Sequence, residues 1–200
     1  QQQNEKNSIK QQIKDIDQKS GIQKMACREV NMAIASDHTM FNRYGGLQGV
    51  NNHNIGVMNN VQGDYDGVGS GAFDVGFRIV AEYSTSDPTQ NPYNTTGTDA
   101  GTMLGEFNSW ANSGGFGAGV TPGLQANVSS TLGQLWTAKN MSYQGSSGVI
   151  GLAYYPGNFH IVEDYLGTNA NGGAWGLRVL TSHEIGHNFR APHDASNCGN

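Results

Sequence analysis

The chain has 200 residues, 14% of them charged, and a net charge of −5, a size that suits one domain able to bury about 70% of its unfolded surface without staples. Five of the six lysines precede residue 25, so residues 25–200 carry 6 basic against 13 acidic side chains and exclude a basic, phosphate-neutralising face and with it a nucleic-acid partner. Hydrophobic residues at 36% exclude a disordered chain, and no apolar run approaches the ~20 residues of a membrane span.

Residues 1–26 place Ile9, Ile13 and Ile16 at helical spacing, but Gly21 interrupts a narrow apolar stripe, so the segment reads as a linker or pro-segment remnant with a marginal helix. Order is expected to start with residues 30–35 (VNMAIA), a buried strand closed by a capping or turn sequence at Ser36, Asp37 and His38. Residues 50–65 predict a helix with Val50, Val57, Met58, Val61 and Tyr65 near one face. Residues 73–83 alternate Phe73, Val75, Phe77, Ile79 and Ala81 with a mostly polar set, the period of a strand with one buried face. Asp99 as N-cap, Leu104, Phe107 and Trp110 at intervals of three, and Gly114 as stop define a core-facing helix. Strands are expected at 131–137 and 149–154, and a last helix at 175–189 with Leu177, Leu180, Ile185 and Phe189 apolar. Strands and helices interleave without an internal repeat, so the fold class is α/β.

The last helix carries the chemistry, in the stretch HEIGHNFRAPHD from His183 to Asp194. His183 and His187, four residues apart, stand one turn above the other on a helix and can share one tetrahedral zinc. Glu184 is rotated about 100° around the axis, where its carboxylate can reach a metal-bound water. Pro192 cannot continue the helix, so the chain must turn and can return His193 as a third ligand, leaving one coordination position for catalysis. HExxH arises by chance in roughly 0.5% of sequences of this composition, and adding His193 lowers that to about 0.02%. His38, His53 and His160 have no ligand spacing and read as ordinary polar or capping residues.

These residues resemble the extended zinc signature of the metzincins (HExxHxxGxxH), and Asp194 resembles the adamalysin or reprolysin branch, which includes the ADAM and ADAMTS enzymes. VNMAIASDHTMF (residues 30–41) is similar to the first strand of that branch, Leu104-x-x-Phe107-x-x-Trp110 to its second major helix, and IGLAY (residues 150–154) to its substrate-side edge strand. The resemblance implies a twisted, mostly parallel five-stranded sheet with an antiparallel edge strand, packed helices and a zinc-binding active-site helix. It implies a secreted or extracellular zinc endopeptidase that hydrolyses extended protein or peptide substrates by Glu184-assisted attack of a zinc-bound water. Gly151 and Leu152 would hold the substrate by main-chain hydrogen bonds. Residues 27–200 would be the catalytic domain, truncated before the Met-turn with its C-terminal subdomain largely missing, since no methionine follows His193.

Arg190 stands where most of the family has glycine, at a turn that often needs a left-handed backbone, at a cost of about 1 kcal/mol. Arg190 and the missing pocket wall favour a second reading, a non-hydrolytic zinc-binding peptide or protein interaction module derived from such a protease; the intact Glu184 opposes it. Asp64-Tyr65-Asp66-Gly67 has a calcium-loop flavour but lacks the closing Glu, so it reads as an Asp-Gly turn and structural calcium is unsupported. The glycines of residues 114–119 follow a helix instead of opening one, which excludes a phosphate loop. Cys27 and Cys198 can pair with each other or outside the chain, and Cys27 reads as a structural thiol more than a zinc-blocking switch. Asn94, Asn127 and Asn140 lie in glycosylation sequons. The sequence assigns no oligomeric state.

Overall fold

The structure, a computed structural model, describes residues 28–66, 75–117, 130–165 and 173–193. Cys27, Cys198, Gly67, Asn127 and Asp194 lie outside them, as do the expected features of residues 1–26.

The apolar run at the start becomes β1 (Arg28–Ser36), buried from Val30 to Ser36. A strand covered on both faces has no reason to alternate, which is why its sequence reads as a continuous apolar run. Asp37 ends the strand and caps α1 (His38–Arg43), accepting bonds from the Thr39 and Met40 amides at 2.9 and 3.1 Å. Of the two roles open to Ser36, Asp37 and His38 from the sequence, helix cap or turn, Asp37 takes the first. Next come α2 (Leu47–Tyr65), three residues longer at its start than expected, and β2 (Val75–Ser84). Arg78, Val80 and Glu82 of β2 are exposed and alternate with half-buried Phe77, Ile79 and Ala81, the expected period on a strand at the sheet edge. A short 3-10 turn (Pro88–Gln90) leads to α3 (Ala100–Asn112), whose N-cap is Asp99. Then follow β3 (Ser130–Thr137), the small hairpin β4 (Ser142–Tyr143) and β5 (Ser146–Ser147), β6 (Gly151–Ala153), β7 (Phe159–Glu163) and α4 (Gly173–Asn188).

The main sheet has the order β2-β1-β3-β7-β6, with β1, β2, β3 and β7 parallel and β6 antiparallel to β7. The five strands, with helices on both faces, are the α/β architecture expected from the sequence. Two details differ. The strand expected over residues 149–154 is only three residues long, and β7, which inserts between β3 and β6, was not anticipated. Every residue of β7 is buried, so FHIVE carries no alternation, and at five residues it is too short to stand out.

One face of the sheet, from Met32, Ile34, Leu132, Trp136 and Val162, packs under α2 and α4 through Val57, Val61, Leu177 and Ile185. The other, from Ala35, Leu135, Phe159 and Ile161, packs under α3 through Met103, Leu104 and Phe107. Asp37 ties the two halves from inside the core, where its second oxygen accepts from the hydroxyls of Tyr93 (2.5 Å) and Thr137 (2.6 Å).

Candidate functional site

α4 lies on the sheet by an inner face of Leu177, Thr181, Glu184, Ile185 and Asn188, all buried, at the three- and four-residue intervals of one helix side. The adjacent side carries the exposed His183 and the half-buried His187 towards a cleft. The helix is clamped from α2: the Tyr65 hydroxyl donates to the Ser182 carbonyl (2.9 Å), and Asp64 accepts from the Ser182 hydroxyl (2.7 Å) and pairs with Arg178 (3.2 Å). Asp64, half of the calcium-like sequence, is therefore engaged in positioning this helix.

At its C-terminal end the helix closes with paired bonds, Arg190 N–H to His187 O (2.9 Å) and Ala191 N–H to Gly186 O (2.8 Å). This is the Schellman arrangement, and it requires a left-handed residue at the position Arg190 occupies, where φ is +74°. The turn thus falls at Arg190, directly after Phe189 and two residues before Pro192, as the sequence leads one to expect, and it swings His193 back over the helix. The Nε2 atoms of His183, His187 and His193 converge, at 3.0 Å for His183–His187, 3.0 Å for His183–His193 and 2.9 Å for His187–His193. Among the described residues this is the one group of three metal-capable side chains. The other histidines lie elsewhere: His38 binds Asn91, His53 packs between Tyr44 and Trp136, and His160 is buried under α4.

The donor set fits a cation. His187 Nδ1 lies 2.8 Å from the Ala191 carbonyl, so its proton belongs on Nδ1 and its Nε2 presents a lone pair to the other two rings. Three ring nitrogens so close repel unless a cation lies among them, and a triangle of this size has points about 2.0–2.1 Å from every corner, the zinc–imidazole distance. Burial, then the neighbouring His187 and His193, push His183 below the ordinary histidine value, which favours the neutral form that binds metal.

Glu184 sits one step round the helix and is only 4% exposed. Burial pushes its carboxyl up to about 7. It lines a cleft of about 620 Å³ whose floor includes Leu180, His183 and His187 and whose wall is β6 with Val149 and Ile150 before it. Gly151 and Leu152 lie on that wall, and β6 pairs with β7 through Gly151↔Val162 and Leu152↔Ile161 at the end of the sheet. The structure therefore brings all six residues singled out in the sequence to one cleft or its rim.

Two site residues were not anticipated. Asn188 accepts from His160 Nδ1 (2.8 Å) and donates to the carbonyls of Tyr154 (3.1 Å) and Phe159 (3.0 Å), fastening α4 to the β6–β7 hairpin. Tyr155 stands edge-on to His187 with ring centroids 6.0 Å apart, and its hydroxyl donates to the Arg190 carbonyl (3.3 Å). No sequence signal marks Asn188, because its partners lie about thirty residues away along the chain.

Comparison with known proteins bears on this site. A family model described as Reprolysin_5, metallo-peptidase family M12, matches residues 26–199. No curated protein matches the chain significantly. Among solved structures, a chain from a chaperone–substrate complex is similar with a TM-score of 0.51 and 13% identity over 86% of this chain and 27% of that one. The present chain thus spans about a quarter of that protein's length. Archaemetzincin from Methanopyrus kandleri gives a TM-score of 0.46 and 14% identity over 82% and 76% of the two chains. A zinc-dependent peptidase from Methanocorpusculum labreanum gives 0.45 and 17% over 81% and 82%.

Proposed function

The chain belongs to metallo-peptidase family M12, and from that membership we propose that it is a zinc-dependent endopeptidase of the adamalysin type that cleaves extended protein or peptide substrates. The observation that carries the reading is the convergence of His183, His187 and His193 within 3.0 Å of one another, beside a buried carboxylate and an edge strand on one cleft.

His183, His187 and His193 would hold zinc through their Nε2 atoms, and the bound metal would supply Lewis acidity to a peptide carbonyl and lower the pKa of water towards about 7. The chain's own residues do the rest. β6 is the last strand of its sheet, so an extended peptide can add beside it through the main chain of Gly151 and Leu152, the strand-addition mode of recognition. Glu184 takes a proton from the attacking water as its oxygen bonds to the carbonyl carbon, and delivers it to the amine nitrogen as the C–N bond breaks. Burial of Glu184 excludes bulk water from this transfer.

Glu184→Gln should keep one equivalent of zinc and lose at least 10³-fold in turnover on an unfolded protein substrate, on the order expected for a lost general base. Replacing any of the three histidines should remove the metal. Chelator-insensitive cleavage, or a fully active Glu184→Gln protein, would sink the mechanism, and zinc binding without any cleavage would establish the interaction-module reading instead. Extracellular action is part of the proposal, in keeping with the exposed sequon residues Asn94 and Asn140; finding the protein only in cell lysate of its source would refute it.

A further inference from the structure

The geometry points to a second role for Gly151, beyond any main-chain contact with substrate: it is a positioning residue whose missing side chain makes the space that the Glu184 carboxylate occupies. This rests on the peptidase reading above for its catalytic consequence, though not for its steric one.

A Cβ built on Gly151 would lie 2.3 Å from Glu184 Oε1, 2.8 Å from Cδ and 3.0 Å from Cγ. The contact reaches from the tip of the side chain into its stem, so swinging the carboxyl group alone cannot relieve it. The need for glycine here is not conformational. Gly45, Gly114 and Gly148 have positive φ and nothing near a would-be Cβ, whereas Gly151 has an ordinary strand backbone and a crowded one.

Neither wall can retreat. β6 is fixed to β7 by its pairing and by the Glu163 N–H to Ile150 O bond (2.7 Å) beside Gly151. α4 is fixed by Asn188 at one end and by Ser182 and Arg178 nearer its middle. A methyl group at position 151 must therefore drive Glu184 into another rotamer. The carboxylate would leave the cleft wall while the histidine rings, since the three atoms nearest the added methyl all belong to Glu184, keep their places. A displacement of about 1 Å at a reacting group is enough to cost on the order of 10²-fold in rate. The peptide-docking strand and the general base are thus fitted to each other at one position.

The test is a double-mutant cycle of Gly151→Ala with Glu184→Ala, which removes the crowding atoms, read by thermal unfolding of the zinc-loaded proteins, zinc stoichiometry, and kcat and KM on a peptide substrate. Gly151→Ala in the Glu184 protein should lower Tm by about 5 °C and kcat by about 100-fold, with one zinc retained and KM changed less than about threefold. In the Glu184→Ala background the same substitution should leave Tm within about 1 °C. If Gly151→Ala alone does not fold, folding of the double variant supports the inference and its failure overturns it. Equal Tm losses in both backgrounds, or a raised KM with kcat unchanged, would also overturn it, the latter by showing that position 151 acts only on the peptide. If no variant cleaves any peptide, the protease reading fails while the Tm cycle still decides the steric one.

Discussion

The buried Nδ1 of His160 lies 2.8 Å from Oδ1 of Asn188, the residue immediately after His187, so a β-strand side chain holds the C-terminal turn of the site helix. Asn188 spends its amide on the Tyr154 and Phe159 carbonyls as well. Asn188→Ala strips these buried groups of that partner, at a cost of about 2–3 kcal/mol, and leaves the last turn of α4 free to shift. Asn188 holds the turn that carries the ligands without bonding to any of them, so zinc affinity should fall by less than the 10–100-fold typical of a ligand's direct partner, by about threefold to tenfold. Competition against a chromogenic chelator measures it; unchanged affinity would show that the Schellman turn alone holds His187 and His193.

His160 is buried and His53 half-buried between Tyr44 and Trp136, and burial pushes each down to about 4 from an ordinary value of 6.5. His160 faces the neutral Asn188; His53 faces Asp164, which opposes the shift, and Arg43, which adds to it. Between about pH 6.5 and 4 the unfolded chain holds protons on these rings that the folded chain does not. Stability from both groups is therefore complete above pH 6.5, falls as the pH drops towards 4, and loses on the order of 2–3 kcal/mol per ring. Urea unfolding of the metal-free Glu184→Gln protein, in which the opposing proton uptake at the raised Glu184 carboxyl is removed, should show that slope across this range. His160→Gln, which retains a donor for Asn188, should flatten it by one proton; a pH-independent midpoint would contradict the assignment.

The residues that make the site were legible because they rest on short spacings. Four residues on a helix put His183 beside His187, and Pro192 forces the chain to turn before His193. Helix α3 was legible for the same reason, through Asp99 and the three-residue intervals of Leu104, Phe107 and Trp110. What was not legible depends on contacts far along the chain. β7 is buried on both faces and shows no period, α1 owes its start to a cap that also serves as a turn signal, and the fit of Gly151 to Glu184 exists only because β6 packs against α4.

Asp37 shows how much a single buried carboxylate can organise. It caps α1 through two amides, accepts from the Thr39 hydroxyl at 2.5 Å, and binds Tyr93 and Thr137 with its other oxygen. Asp37→Ala leaves these donors without a partner inside the core and removes a helix cap, so a loss of about 3–5 kcal/mol is expected. Asp37→Asn, which keeps the shape but turns one acceptor into a donor against two hydroxyls, should cost less, since Tyr93 and Thr137 can rotate their hydrogens. Guanidinium unfolding of the two variants gives the order directly; an Asn variant less stable than the Ala variant would show that an amide donor facing the Tyr93 and Thr137 hydroxyls is not accommodated by their rotation.

Arg190 holds φ of +74° at the Schellman position that returns His193 to the site. A side chain there costs about 1–2 kcal/mol relative to the right-handed region, and glycine relieves it while losing about 0.5–1 kcal/mol to the greater freedom of the unfolded chain. The Arg190→Gly protein should therefore gain about 0.5–1 kcal/mol, a rise in Tm of roughly 2–4 °C. The turn itself is made by backbone groups, Arg190 N–H to His187 O and Ala191 N–H to Gly186 O, and the Tyr155 hydroxyl meets the carbonyl of residue 190, so none of these contacts depends on the arginine side chain. Zinc affinity and kcat should accordingly stay within about twofold of the parent protein, since a ΔΔG of this size spread over the fold need not shift the ligands. A lower Tm in the glycine variant would mean that the Arg190 side chain makes a stabilising contact that outweighs its backbone strain, and a changed zinc affinity would mean that the strain is used to hold His193.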